Sequence, residues 1–593
     1  MTTRATRSPR RRTVAALAVV LAVLCGFIIR LVDIQVVNAE GHIADSQELA
    51  FGAVTDLYGT RGEIVDADGE ALATSILMYD GKLDPANVGP IEREVDGVEV
   101  EVPWDQVAAE MGAITGQPAA EIMQIVDDAL AADAGSRFAY LQRGLTTEQY
   151  RALADLRAPF LTFDMHPQRT YPDGAVAGNV VGFVGSDGEP LAGIEQIENT
   201  CLASANGQVT YMRGADGVVI PGTEVETPAV DGGTLQLTID RDLQWYLQQL
   251  IAEEVQNKQA NSGAILVVEV ATGKIRAAAE YPTVDPNNVD ASAASDRGSR
   301  LFLASYEPGS TLKAITAASV IDAGVATPDT TVSAGDYETF PNGARVGDFE
   351  SHPVLNYTLT GALIDSSNVA LSKFGEMLSA DVRHDYLERF GVGRGTAIGW
   401  PSEPQGVLHP AAEWDNQTFY ATTFGQGYTM TSPQVASAYQ ALANGGLKMP
   451  LSLVESCTLA DGTVVEPDLP EPEQVVSKEA ADAVTLMLEN VAVQAQMADY
   501  IAVDGYRIAA KTGTAQVAGS TGGYKSGVYF TSLIGIVPAD DPQYIVLTTL
   551  DEPTTIKSSA ANRQAFQKAM TQVLKNYRVL PSDSQTPLLP KTL

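Results

Sequence analysis

Tyr306-Glu307-Pro308-Gly309-Ser310-Thr311-Leu312-Lys313-Ala314 decides how this chain is read. Pro308-Gly309 predicts a tight turn, and no helix breaker follows until Gly324. Leu312, Ile315, Ala318 and Ile321 recur at helical spacing, so a helix with one inward face is expected, with Ser310 in its first turn. Lys313 follows three residues later on the same face, which brings an ammonium nitrogen within reach of the serine oxygen. A serine hydroxyl is a weak nucleophile until a neighbouring base takes its proton, and a desolvated lysine can be that base. Backbone N–H groups at the helix start are free to stabilise an oxyanion. Alone, S-x-x-K is a weak signal, because a helix cap followed by a solvated lysine reads the same way.

Composition narrows the field. The chain has 593 residues, enough for two or more folded domains. It carries 38 basic and 74 acidic residues, a net charge of -36, and phosphate binding needs clustered Lys and Arg. Nucleic acid is therefore excluded as a partner. Cys25, Cys201 and Cys457 have neither zinc spacing nor the numbers of a disulfide framework. A Cys201–Cys457 bridge is not expected, since the two fall in different predicted domains. His42, His166, His352, His384 and His409 show no metal-ligand spacing, so no metal site is expected.

From the start of the chain, residues 1–12 hold Arg4, Arg7, Arg10, Arg11 and Arg12 without an acid, a short cytoplasmic tail. Thr13 to Ile29 is uncharged and mostly apolar, and an anchor over 13–32 is predicted, with Arg30 snorkelling at the far interface. The positive-inside rule puts everything beyond about residue 35 outside the cell. A cleaved signal ending at Val37-Asn38-Ala39 is the rival. Residues 33–229 read as a mixed, β-rich pedestal. It contains a strand and Asp-Gly turn in Arg61–Gly69, helices over 104–113, 118–132 and 146–156, and a strand over 138–142. Val230-Asp231-Gly232-Gly233 marks a boundary. Beyond it come a strand at 235–239, Asp240 as an N-cap, a helix, and a hairpin turning at Ala271-Thr272-Gly273. A catalytic domain over 230–577 and a tail over 578–593 complete the division. The Pro- and acid-rich segment 466–473 reads as a loop.

Two further stretches keep company with Ser310. Asp365-Ser366-Ser367-Asn368 lies between two helical stretches, where a short polar loop can present a hydroxyl and an amide to a cleft. Lys511-Thr512-Gly513-Thr514 lies in an apolar strand, and glycine there suggests a close approach to its backbone. S-x-x-K, S-x-N and K-T-G in that order, 56 and 145 residues apart, match the active-site triplet of penicillin-recognising serine acyltransferases.

The chain resembles the class B penicillin-binding proteins from the membrane segment to about residue 575. Arg61-Gly62-Glu63-Ile64, Arg169-Thr170-Tyr171-Pro172 and Gly193-Ile194-Glu195 resemble the pedestal motifs. Phe424-Gly425-Gln426-Gly427, Thr431-Ser432-Pro433-Gln434 and Ala443-Asn444-Gly445-Gly446 resemble the transpeptidase domain. Tyr306 to Thr311 is similar to the septal, division-type members. Ala67-Asp68 and Gly399-Trp400-Pro401 depart from the family pattern, outside the triplet.

The resemblance implies an α+β fold. A β-rich dimerisation-type pedestal precedes a serine β-lactamase-like transpeptidase domain with an antiparallel sheet flanked by helices, on one transmembrane helix. It implies peptidoglycan cross-linking through a serine acyl-enzyme, without metal or organic cofactor. Ser310 is then the nucleophile and Lys313 its base. Ser366 relays a proton, with Lys511 tuning it, and Asn368 holds the donor amide. Thr512 and Thr514 bind the terminal carboxylate, and Gly513 lets substrate lie against the strand. The oxyanion hole is the N–H pair of Ser310 and Thr514. Peptidoglycan stem peptides, β-lactams as inhibitors, the membrane, a separate glycosyltransferase and division proteins are the implied partners. Rival readings are an elongation-type transpeptidase, a D-Ala-D-Ala carboxypeptidase or β-lactamase, a β-lactam sensor, and a non-catalytic division scaffold.

Overall fold

The computed structural model describes residues 9–33, 53–95, 98–212, 220–519 and 523–593. Arg4, Arg7 and the rival cleavage site Val37-Asn38-Ala39 lie outside these residues. The chain gathers into two compact units, Met1–Thr60 with Ser204–Asp231, and Arg61–Ala203 with Gly232–Leu593.

The first unit holds the helix Pro9–Val32. Its Thr13–Val32 portion has a mean hydropathy of 2.7 and no buried residue. A row of Val, Leu and Ile that none of the described residues covers suits lipid, and its length spans a hydrocarbon core. The same unit holds an antiparallel sheet in the order Ala53–Leu57, Gly207–Tyr211, Val225–Thr227.

In the second unit, the segments before and after residues 204–231 share one sheet. Ile64–Val65 runs parallel to Thr234–Leu237 and antiparallel to Ala71–Leu83, which pairs with Ala139–Leu145 and Leu161–Thr170. On the other side Thr234–Leu237 pairs with Val454–Thr458. A Cβ on Gly62 would lie 1.9 Å from Gly233 O, so glycine lets these two backbones meet. The three pedestal-like motifs converge on one carboxylate. Arg61 Nε and Arg169 Nε each lie 2.7 Å from Glu195, which is fully buried, and Tyr171 OH donates to it at 3.2 Å. A carboxylate removed from water needs such pairing, and losing one partner of a buried pair costs about 3–5 kcal/mol.

This shared sheet overturns the expectation for the cysteines. Leu235 stands opposite Cys457 in the ladder, and Gly233 N donates to Cys201 O at 2.8 Å. Cys201 and Cys457 are joined in a disulfide across 256 residues, with Cα atoms 6.1 Å apart. A boundary near residue 230 would separate them, but the strand just beyond it pairs on both sides and brings them together.

A five-stranded antiparallel sheet forms the platform for chemistry, in the order Ile275–Tyr281, Ser262–Glu269, Tyr544–Asp551, Tyr524–Val537, Ala509–Ala518. Helices Arg241–Lys258 and Arg563–Asn576 pack on it as one group, and Ser432–Ala443 and Lys478–Gln494 as another. Asp240 caps the first of these through Leu243 N, as expected. Gln244 and Gln440 are buried and spend their amides on the carbonyls of Ala278 and Val270.

The Ser310 stretch differs in two ways from its sequence reading. Gly309–Leu312 is a 3-10 turn, and the α-helix begins at Lys313 and runs to Asp322, followed by Gly324 with φ +70°. The helix also lacks an outer face: Lys313 to Val320 are all buried. Ala314, Ala317 and Ala318 are small enough for neighbouring helices to close over it. Residues 578–593 are held against the second unit. Thr358 Oγ1 donates to Pro590 O at 2.7 Å, and Gln494 Nε2 to Leu589 O at 3.0 Å.

Candidate active site

Ser310 sits on a turn that two glycines make possible. Gly309 has φ +59°, and its N–H donates to Gly425 O at 2.8 Å. A Cβ on Gly425 would lie 1.9 Å from Gly309 O. The Phe424-Gly425-Gln426-Gly427 stretch therefore braces the serine turn. Glu307 adds a second tie, accepting from Gly427 N at 2.9 Å and from Tyr524 OH at 2.8 Å. Thr311 is held from both sides, by its own hydroxyl on Pro308 O and by Tyr439 OH on its carbonyl. Ser310 itself is half-buried, and its Oγ has no hydrogen-bond partner among the described residues. A resting-state catalytic contact often closes only with substrate bound.

Lys313 and Lys511 meet over Ser366. Lys313 Nζ donates to Ser366 O and, at 3.2 Å, to Ser366 Oγ. Lys511 Nζ donates to the same Oγ at 2.9 Å. Both lysines are buried, at 0% and 1% exposure, which decides their charge. Two ammonium groups out of water on one hydroxyl repel each other and lose hydration. Burial first, then the charge of Lys511, push Lys313 far below its ordinary value, against a smaller pull upward from Asp348. Burial pushes Lys511 down to about 7. A neutral Lys313 has two N–H bonds, both anchored on Ser366, and one lone pair left to accept a proton. With two donors on its lone pairs, Ser366 Oγ keeps its own hydrogen to give.

Ser366 occupies an unusual backbone position, φ +55°, which costs a non-glycine residue about 1–2 kcal/mol. Asp365 before it is tied to Tyr357 OH at 2.9 Å and to Lys591 at 2.5 Å. Ser367 caps the helix Asn368–Gly375 by accepting from Ala370 N at 2.9 Å. Asn368 Nδ2 donates to Gly347 O at 2.9 Å, which leaves its Oδ1 to accept.

Lys511-Thr512-Gly513-Thr514 lies on Ala509–Ala518, an edge strand of the platform. Lys511 and Gly513 face inward and are buried, whereas Thr512 and Thr514 are half-buried on the alternate face. Thr514 Oγ1 accepts from Ser559 N at 3.0 Å and retains its hydrogen. A Cβ on Gly513 would lie 2.4 Å from Ser532 Oγ and 3.1 Å from Pro308 O. The glycine thus brings the strand against the serine turn. The structure brings Lys313 and Lys511 each onto Ser366, places Asn368 at the start of the helix that follows Ser366, and sets Gly513 against the Ser310 turn. Sequence reasoning missed Glu307, Tyr439 and Asp348. Glu307 had a signal, its place in the quoted stretch, whereas Asp348 and Tyr439 had none.

Comparison with known proteins agrees with this geometry. Residues 263–571 match the penicillin-binding protein transpeptidase domain, and residues 56–237 the penicillin-binding protein dimerisation domain. The chain is 32% identical to penicillin-binding protein PbpB of Mycolicibacterium smegmatis, over 96% of this chain and 91% of that one. It is 27% identical to peptidoglycan D,D-transpeptidase FtsI of Escherichia coli, over 94% and 92%. Among solved structures, a peptidoglycan synthetase from Bifidobacterium adolescentis superposes with a TM-score of 0.72 at 28% identity, over 91% and 99% of the two chains. Penicillin-binding protein 3 from Mycobacterium tuberculosis, complexed with ampicillin, gives 0.69 at 26% identity, over 91% and 100%.

Proposed function

We infer, since this chain belongs to the class B penicillin-binding proteins of the division type, that it is a peptidoglycan D,D-transpeptidase of septal wall synthesis. It joins stem peptides through a serine acyl-enzyme and is acylated by penicillin. The observation that carries the residue-level reading is the meeting of two buried lysines on Ser366, one of them three residues beyond a half-buried serine.

In this reading Ser310 Oγ attacks the carbonyl carbon of the penultimate D-Ala of a donor stem, and its proton passes to the free lone pair of Lys313. The Ser366 hydroxyl passes a proton to the leaving amine as the peptide bond breaks and the terminal D-Ala departs, and Lys313, 3.2 Å away, hands the proton it took to Ser366 Oγ. An amine on a second stem then attacks the ester, and the proton it loses passes through Lys313 to Ser310 Oγ as the ester bond breaks. Asn368 Oδ1 accepts the donor's amide N–H. Thr512 and Thr514 donate hydroxyls to the terminal carboxylate beside Lys511, whose position near 7 lets it take a proton when that anion arrives. The N–H groups of Ser310 and Thr514 receive the oxyanion, where preorganised donors contribute most. A β-lactam meets the same groups, and its amine stays tethered.

The pedestal is read over 33–229, the catalytic domain over 230–577 and the tail over 578–593. The chain is membrane-anchored through its N-terminal helix, and the arginines of residues 1–12 support a cytoplasmic N-terminus. The Cys201–Cys457 disulfide supports an oxidising, extracytoplasmic setting for the rest. A separate glycosyltransferase supplies nascent glycan in this reading, alongside division proteins.

Labelling with a fluorescent penicillin tests it. Wild type should label on the peptide containing Ser310, and Ser310→Ala should not label. Label on Ser366 or Ser367 would overturn the assignment.

A further inference from the structure

Eighteen residues before Ser366 stands a carboxylate that takes no direct part in the transpeptidase steps. Asp348 is nearly buried, its side chain 5% exposed. Its Oδ1 accepts from Val369 N at 3.0 Å, in the first turn of the Asn368 helix. The neighbouring Gly347 O holds the Asn368 amide at 2.9 Å. Two consecutive residues thus grip the S-x-N turn, one through the helix start and one through the side chain that would meet substrate. An anion at a helix N-terminus is favourably placed for this.

The other oxygen of Asp348 faces His352. His352 Nε2 lies 2.8 Å from Asp348 Oδ2, and His352 Nδ1 lies 2.8 Å from Pro353 O. A carboxylate and a carbonyl only accept, so both ring nitrogens must donate, and the ring that does so is an imidazolium. Burial, the largest single effect on the ring, favours the neutral form. The bonds to Asp348 and Pro353 with the charges of Asp348 and Asp336 outweigh it, so His352 is held above its ordinary value. Asp348 grips the turn whose Ser366 carbonyl and hydroxyl hold Lys313 Nζ, and its charge there opposes burial and Lys511. An unbalanced Asp348 would favour the ammonium form of Lys313, which cannot take a proton.

We propose that Asp348 and His352 form a positioning pair for the transpeptidase reaction. Asp348 clamps the S-x-N turn, and His352 balances the charge that Asp348 would otherwise impose on Lys313. The inference rests on Lys313 being the base. Among the described residues, the other charged or titratable groups around the pair have partners of their own. The Asp336 carboxylate accepts from the Ser351 hydroxyl and adds its charge to that of Asp348 at His352, while its backbone carbonyl accepts from Asp348 N. Tyr357 meets the His352 ring edge-on at 5.6 Å and is tied to Asp365, itself paired with Lys591. Glu350 accepts from Gln496, and Lys373 pairs with Glu338. None of these replaces His352 at Asp348 Oδ2.

The test is the pH profile of penicillin acylation by the full-length protein in detergent, from pH 5 to 9. In wild type the rate falls on the acid side as Lys313 becomes protonated. Asp348→Asn keeps an acceptor for Val369 N but removes the charge, so the acid limb should move down by about one pH unit. His352→Gln leaves Asp348 unbalanced, so the limb should move up by a similar amount. A purely structural role lowers the rate at every pH and moves neither limb. Unmoved limbs in both variants, or movement in the same direction, would overturn the proposal. Should Asp348→Asn melt early, the upward shift in His352→Gln alone decides, since that side chain is partly exposed. A wild type unlabelled at Ser310 at every pH would instead sink the reading of the site.

Discussion

A lysine that supplies charge and a lysine that accepts a proton respond differently to arginine. Arginine stays charged and forks well to carboxylates, so a lysine that merely attracts substrate can be replaced by it. It cannot serve as a base, because its pKa above about 12 keeps it protonated. Lys313 is fully buried against Ser366 and Lys511, which favours the neutral amine. Lys313→Arg should therefore lower the acylation rate by 10²-fold or more, roughly the loss expected for a positioned base. Lys313→Ala and thermal unfolding of both variants separate this from bulk. Acylation within a few-fold of wild type in a folded Lys313→Arg would remove Lys313 from that role. Ser310, Lys313, Ser366, Asn368 and Lys511 are legible as candidates because each lies in a short local pattern with its own spacing. Asp348 and His352 are not, because Asp348 is marked by its contact with Val369 and His352 by its contact with Asp348, and no periodicity announces either.

At the scale of elements, local signals read well where local chemistry decides. The N-cap at Asp240, the hairpin at 271–273 and the helix expected over 146–156, observed as Thr147–Asp155 with Thr146 capping it, are each settled within a few residues. The serine helix reads as amphipathic because alternatives to a solvent face are invisible locally; tertiary packing buries the rest of it. Gly361, in the helix Leu359–Ile364, is another case. Alanine normally stabilises a helix relative to glycine by about 0.5–1 kcal/mol. Here a Cβ would lie 1.9 Å from Lys591 O, in the C-terminal strap that also ties Thr358 and Asp365. Backbone cannot give way as a flexible side chain does, so Gly361→Ala should reverse the usual sign and destabilise by about 1–3 kcal/mol. It should also expose residues 586–593 to proteolysis. A variant as stable as wild type, with an uncut tail, would show that the strap is not fixed there.

For the whole molecule, the informative failure is the disulfide. A boundary inferred from Val230-Asp231-Gly232-Gly233 implies separate domains and hence separate cysteines. The strand after it instead shares a sheet with Ile64–Val65 and Val454–Thr458, a pairing across hundreds of residues that no local pattern encodes. That sheet sets Cys201 and Cys457 at bonding distance, while Cys25 lies on the exposed apolar helix. Compartment and stability then make one joint prediction. If the arginine-flanked helix holds the N-terminus inside and the folded units outside, the bond forms in an oxidising space. Denatured, unreduced protein from membranes should carry one alkylatable thiol, Cys25, and reduction should raise that to the three of the sequence. Three free thiols before reduction would contradict either the bond or the export. Closing so long a loop restricts the unfolded chain strongly, so Cys201→Ser with Cys457→Ser should lower stability by about 2–5 kcal/mol. The serine turn, the two lysines and Ser366 lie on other elements of this unit, so at temperatures where the variant is folded its penicillin acylation rate should match wild type. A loss of acylation in the folded variant would mean that this sheet positions the catalytic groups as well as holding the unit together.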